Sequence, residues 1–70
     1  MDRTITDLIN NIIEARKERG ITQRELSQMS GVSYSTLTKL ESRIIKSPSF
    51  AAIYKIAKAL DMTFDELIES

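Results

Sequence analysis

One short stretch of the chain concentrates side chains that could hydrogen-bond to a polar partner. Its spacing is helical, and the side turned away from its apolar residues carries Tyr34, Ser35, Thr38, Lys39 and Ser42. These are short donors and acceptors with one cation, and they match the groups that base edges present in the major groove of DNA. A solvated helix face has the same composition, so the surrounding elements must decide between the two interpretations.

The composition gives little support to an enzyme. The sequence has no His and no Cys, which removes the usual zinc ligands, imidazole general bases and thiol nucleophiles. The acidic residues near the end of the chain are Asp61, Asp65, Glu66 and Glu69. Two of them are predicted to lie in the first turn of a helix, where acidic side chains are ordinarily favoured. We therefore expect no catalysis, no metal and no cofactor.

Length and hydropathy predict one small domain over residues 1–70. A chain of 70 residues leaves no room for a second domain that would house a small-molecule ligand. No apolar run approaches ~18 residues and the first residues lack a signal peptide's apolar stretch, so we expect a soluble, cytoplasmic protein with no membrane contact. The net charge is zero, but residues 1–48 carry eight basic and six acidic side chains. A basic face in that segment could bind phosphate although the whole chain is neutral.

Helical periodicity predicts the first two helices. One apolar stripe runs through residues 4–19, and Gly20 follows it where a helix commonly ends on glycine. Thr22 and Glu25 form a capping-box pattern that begins a second, short helix. That helix is predicted to end at Gly31.

Three more helices complete the predicted fold. The third runs from a Ser33 cap to about Arg43, and the single proline suits the first turn of a fourth helix capped by Ser47 or Ser49. The fourth helix has its apolar face predicted from Phe50, Ile53, Ile56, Ala57 and Leu60. A second capping box, beginning at Thr63, starts a fifth helix that runs to the end of the chain. We predict an all-α fold, a compact five-helix bundle.

Residues 23–42 form two predicted helices joined by a very tight turn. A short helix, a turn containing glycine and a second helix are the features of a helix-turn-helix. Gly31 can adopt a positive φ without strain, which allows the chain to reverse within so few residues. The apolar side chains expected to meet inside this corner are Leu26, Val32, Leu37 and Leu40.

The sequence resembles the phage Cro/repressor-type (XRE) helix-turn-helix family over about residues 16–67. The resemblance rests on TQRELSQMSGVSYSTLTKLES and, further on, PSFAAIYKIAKALDMTFDEL. It implies a fold like the DNA-binding domain of lambda repressor. It also implies a sequence-specific regulator of transcription, most simply a repressor, that binds double-stranded DNA with its third helix in the major groove.

The resemblance implies that some of the polar residues contact bases and others contact phosphates. Base contacts are expected from Tyr34, Ser35 and Lys39, with Thr38 added because it shares their face; the Tyr34 hydroxyl could instead reach a phosphate. Phosphate contacts are expected from Gln23, Ser33, Ser42, Arg43 and Lys46. Gln23 lies at a helix N-terminus, whose backbone N–H groups favour anions. A basic residue near the end of the third helix is also explained by the helix dipole alone.

Two structural features follow from the same resemblance. Arg16 and Glu41 match positions that form an ion pair between the first and third helices, although they could be separate surface charges. Ser27 departs from the family, which usually has alanine there; serine is small enough for the tight helix contact, and its hydroxyl can bond back to the preceding turn.

One recognition helix makes few base contacts, so we expect a homodimer on a palindromic operator. Phe64 and Ile68 are the first candidates for its interface, and Ile44 and Ile45 the second. Phe64 could instead complete the core. The alternative function is a protein-binding helix-turn-helix module, such as an antitoxin or antagonist partner, which the zero net charge and the two adjacent isoleucines favour.

Overall fold

Five α-helices follow one another along the chain in a computed structural model that describes residues 3–45 and 47–69. They are α1 (Arg3–Glu18), α2 (Gln23–Ser30), α3 (Tyr34–Glu41), α4 (Phe50–Ala59) and α5 (Phe64–Glu69). The predicted all-α fold is confirmed, and the described part of the chain contains no strand. None of the described helices is both long and apolar enough to cross a membrane. Lys46, a predicted phosphate contact, lies outside the described residues.

The core draws on all five helices. Its largest fully buried side chains are Ile9, Ile12, Leu26, Leu37, Leu40, Ile56, Leu60 and Leu67. The α1 helix packs against both α3 and α5, while α2 packs against α3 and α4. A hydrogen bond connects α1 to α5: Nδ2 of Asn11 donates to the backbone carbonyl of Leu67 at 2.6 Å. The α1 helix therefore supports α3, and α4 supports α2.

Side chains cap the helix starts largely as the sequence predicts. Thr22 and Glu25 form a full capping box. The pKa of the Glu25 carboxyl is held below its ordinary value, mainly by the hydrogen bond from the Thr22 backbone N–H and secondarily by the Thr22 hydroxyl. Ser33 accepts from the Thr36 N–H at 3.1 Å and caps α3. The cap of α4 is Ser49, so the proline precedes the helix rather than occupying its first turn.

The α3 helix ends at Glu41, two residues before the predicted boundary. Arg43 adopts a left-handed conformation with φ 66°, which a helix cannot continue through. The Ile44 N–H then donates to the Lys39 carbonyl at 2.9 Å, and the Arg43 N–H to the Leu40 carbonyl at 3.1 Å. These two bonds are a Schellman motif, which normally has glycine where this chain has arginine.

The turn between α2 and α3 depends on Gly31 and on the serine four residues before it. Gly31 has φ 79°, and its N–H donates to the Ser27 carbonyl at 3.0 Å. The hydroxyl of Ser27 donates forward, to the Val32 carbonyl at 2.7 Å. The hydroxyl thus bonds across the turn to the start of the next segment, and not back to the preceding turn of α2.

Replacing Gly31 tests this account of the turn. A Cβ at this position would meet no atom within 4 Å, so the penalty comes from the backbone alone. We expect Gly31→Val to lower the free energy of unfolding by about 1–2 kcal/mol or more. The melting temperature should fall by about 4–8 °C per kcal/mol in a domain of this size. Gly31→Asn, which tolerates the left-handed region, should lose less; equal melting temperatures for glycine and valine would contradict the assigned conformation.

Candidate nucleic-acid interface

The carboxylate of Glu41 connects α1, α2 and α3 on the inner side of α3, opposite its polar face. Arg16 binds Glu41 through two parallel hydrogen bonds, from Nε to Oε2 at 2.8 Å and from Nη2 to Oε1 at 3.0 Å. Its Nη1 donates to the Ile21 carbonyl at 2.8 Å. The side chains of Arg16 and Glu41 are only 11% and 5% exposed. The ion pair implied by the resemblance therefore forms, and it is largely buried.

Gln23 completes this network rather than standing free at the surface. Its Nε2 donates to Oε1 of Glu41 at 3.0 Å, and its side chain is half-buried. The sequence predicts a phosphate contact for this amide, but the structure places it against the carboxylate. The first residue of α2 and the last residue of α3 are thereby fixed to each other and to α1. We refer to Arg16, Gln23, Glu41 and the Ile21 carbonyl as the clamp.

The predicted base-contacting residues share the outer side of α3. Tyr34, Ser35 and Lys39 are exposed and Thr38 is half-buried. The Thr38 hydroxyl donates to the Ser35 carbonyl at 2.9 Å, which turns it toward its own helix. Among the described residues, the Ser35 hydroxyl and the Lys39 ammonium have no hydrogen-bond partner. These two groups are thus available to a ligand.

The predicted phosphate contacts at the ends of α3 have intramolecular partners. The Ser33 hydroxyl donates to Oγ1 of Thr36 at 2.8 Å, and the Ser42 hydroxyl to the Lys39 carbonyl at 3.2 Å. The guanidinium of Arg43 donates to Oδ1 of Asn10, which links the end of α3 to α1. All three side chains are nevertheless exposed.

Sequence reasoning missed Arg24, the second residue of α2. Its guanidinium carbon lies 4.4 Å from the centroid of the Tyr34 ring, within the range of a cation–π contact. Both side chains are exposed, and the contact crosses from one helix of the motif to the other. The available signal was a cation beside Gln23, at the N-terminus of the helix expected to cross the DNA backbone.

A second exposed surface lies on α4 and α5. Phe50 was predicted to face the core, but it is 67% exposed, and Tyr54, one turn later, is 50% exposed. The Phe50 ring contacts that of Phe64 at a centroid distance of 5.4 Å and stacks with that of Tyr54 at 6.3 Å. We call these three rings the aromatic face. The sequence signal for it was two aromatic residues four positions apart on α4.

The four residues predicted for a dimer interface are not equivalent. Phe64 and Ile68 are half-buried and pack against the core, so both also support the fold. Ile44 is 68% exposed, whereas Ile45 is half-buried. Of Phe64 and Ile68, Phe64 is the one that belongs to the aromatic face.

Comparison with known proteins agrees with the geometry of α2 and α3. A family model described as Helix-turn-helix matches residues 12–67, which is most of the chain. The chain belongs to the XRE-type helix-turn-helix family. The matched range contains the whole clamp and all of the α3 face.

Two curated relatives of this XRE-type domain carry regulatory names. The chain is 36% identical over 59 residues to the uncharacterized HTH-type transcriptional regulator y4dJ of Sinorhizobium fredii, covering 84% of this chain and 75% of that protein. It is 31% identical over 58 residues to the HTH-type transcriptional regulator SinR of Bacillus subtilis, covering 83% of this chain. The match spans about half of SinR, 52% of its length. No solved structure matches the chain significantly.

Removing the clamp's carboxylate should destabilise the whole domain. Glu41→Ala leaves the buried guanidinium of Arg16 without its partner, which typically costs about 3–5 kcal/mol. Joint replacement by Arg16→Met and Glu41→Leu removes both charges and should recover much of that loss. Urea unfolding of the two variants measures the difference, with Glu14→Ala, an exposed carboxylate on α1, as the control. If Glu41→Ala unfolded at the same urea concentration as the control, the clamp would not hold the helices.

Proposed function

We propose that this protein binds a palindromic site on double-stranded DNA as a homodimer, with α3 of each copy in the major groove. As a member of its family it is a DNA-binding transcriptional regulator. The observation that carries the groove assignment is the exposed polar face of α3, fixed from behind by the clamp. Repression is the simplest outcome, because a protein seated on an operator blocks access to it.

The free groups on α3 suit base recognition. Lys39 is exposed and has no partner among the described residues, and a lysine ammonium commonly donates to O6 and N7 of guanine. The Ser35 hydroxyl can donate to or accept from any base edge. Ser33, Ser42 and Arg43 lie at the two ends of α3, where exchanging their intramolecular acceptors for phosphates would fix the register on the duplex.

The acidic end of the chain is arranged so that it does not oppose this binding. The α5 helix packs on α1 and α4, whereas α3 packs on α1 and α2. The exposed carboxylates of Asp65, Glu66 and Glu69 therefore lie on a helix outside the α2–α3 motif. Zero net charge is compatible with DNA binding when the charges are separated in this way.

Salt dependence of binding to mixed-sequence DNA tests the proposed function. A dimer that neutralises about 6–10 phosphates should lose about 10³–10⁵ in affinity between 50 and 200 mM salt. A protein-docking module would show negligible DNA binding at either concentration. That result would favour the antitoxin-type or antagonist-type alternative.

Lys39→Ala separates base reading from phosphate binding when affinities are compared among defined DNA sites that differ at single base pairs. We expect it to relax the preference at one base position per half-site, a contact worth about 1–3 kcal/mol. Arg43→Ala should weaken all sequences alike and flatten the salt slope by about one. Lys55→Ala, on exposed α4 surface, is the matched control and should change neither quantity. If Lys39→Ala lowered every site equally, Lys39 would be a phosphate contact.

The aromatic face is the surface we assign to the second copy of the chain. Its exposed rings would be covered by the same rings of a partner around a two-fold axis. Lys58 lies beside Tyr54, 5.7 Å from the ring centroid. In this arrangement the same apolar surface of each copy is complementary to itself across the axis.

Sedimentation tests the dimer. Phe50→Ser with Tyr54→Ser removes exposed rings, so we expect each copy to remain folded. Dimerisation should weaken by tenfold or more, since each ring buried between the copies contributes about 1.5–3 kcal/mol. Ile44→Ser serves as the control at the second-choice surface. A parent protein that stays monomeric on a palindromic site would contradict the proposal.

A further inference from the structure

The contact between Arg24 and Tyr34 connects the two helices of the motif on their outer side. Arg24 is the second residue of α2, and Tyr34 is the first residue of α3. The guanidinium carbon lies 4.4 Å from the ring centroid, close enough for the planar cation to cover one face of the ring. Both residues border the free groups of α3 rather than the core.

The local carboxylates do not compete for this guanidinium. The Glu25 carboxylate accepts from the Thr22 N–H of its capping box, and the Glu41 carboxylate accepts from Arg16 and Gln23. Among the described residues, Arg24 has no ion pair and no hydrogen bond. The cation lies over the ring, and its five N–H donors, which no described residue binds, can bind an anion.

We propose that Arg24 and Tyr34 act as one specificity-determining unit on DNA, in which Arg24 binds a phosphate and simultaneously fixes the ring that contacts a base pair. This inference rests on the proposed function. The N-terminal residues of a recognition helix contact base edges, and the preceding helix crosses the backbone, which is where these two residues lie. With one face covered by the guanidinium, the ring presents its edge and hydroxyl, and these can contact a thymine methyl or a base-edge donor or acceptor.

This arrangement couples two kinds of contact that are usually independent. A phosphate contact alone carries no sequence information, so its loss weakens binding to all sequences alike. Loss of Arg24 here also releases the Tyr34 ring to other rotamers. Sequence preference at the base pair under Tyr34 therefore depends on a residue that touches only the backbone.

A double-mutant cycle on DNA tests the unit. The four proteins are the parent, Arg24→Ala, Tyr34→Ala and the double variant. Each is titrated against two DNA sites. One is the site that the parent prefers, and the other differs from it at the base pair for which Tyr34→Ala has lost the preference. We expect Arg24→Ala to lose preference at that same base pair. We also expect the two losses to be non-additive by about two- to thirtyfold in Kd, which corresponds to about 0.5–2 kcal/mol of coupling.

Two controls separate the effect of charge from that of stacking. Arg24→Lys keeps the positive charge but not the planar group, so it should retain the parent's salt slope and lose part of the preference. Lys39→Ala should combine additively with Arg24→Ala, because the two side chains do not contact each other. Both substituted residues are exposed, and melting temperatures verify that the variants are folded.

The outcomes distinguish this inference from the function on which it rests. If Arg24→Ala weakened all sequences equally and combined additively with Tyr34→Ala, Arg24 would be an independent phosphate contact and the unit would not exist, while the proposed function would stand. If the parent protein had no preference for any DNA sequence, the proposed function itself would be overturned.

Discussion

The rest of the structure depends on how one buried carboxylate is bound. Glu41 accepts from Arg16 twice and from Gln23 once, and the remaining Arg16 nitrogen holds the Ile21 carbonyl. A buried ion pair adds little net stability, because removing two charges from water costs nearly as much as their attraction returns. The ion pair instead fixes orientation, because the planar guanidinium and the planar carboxylate form two parallel hydrogen bonds in one relative orientation only. Three helices that are packed by interchangeable aliphatic side chains thus acquire a fixed relative position.

Fixed ends matter because the two helices of the motif are so short. Eight residues are too few for an isolated helix to be stable in water, so α2 and α3 exist only with their caps and their packing. Ser33 defines the first turn of α3, and the left-handed Arg43 defines its end. A rigid, two-turn helix on a small core then presents Ser35 and Lys39 outward. Rigidity on one side and free hydrogen-bonding groups on the other are what a groove-reading element requires.

The sequence predicted the features that depend on neighbouring residues, namely the helices and the turn. Most contacts between separate helices became visible only in the structure. Helix positions follow from apolar spacing, and the turn follows from Gly31, since both depend on neighbouring residues. Arg43 gave no such signal, because arginine rarely adopts the conformation that ends α3. The exposure of Phe50 and the contact of Arg24 with Tyr34 depend on how separate helices meet, which periodicity along one helix does not encode. Of the clamp, only the pair of Arg16 and Glu41 was predicted, and only through the resemblance. The bond from Gln23 to Glu41 was missed, because it also depends on how separate helices meet.

The role proposed for α3 is to read a two-fold symmetric DNA sequence. In vitro selection from a random pool of double-stranded DNA, using the unmodified protein, is the decisive experiment. We expect enrichment of a palindrome whose half-sites are centred about 34 Å apart, one helical turn along the same face of the DNA. A pool that yields no enriched sequence, or only an asymmetric one, would contradict it.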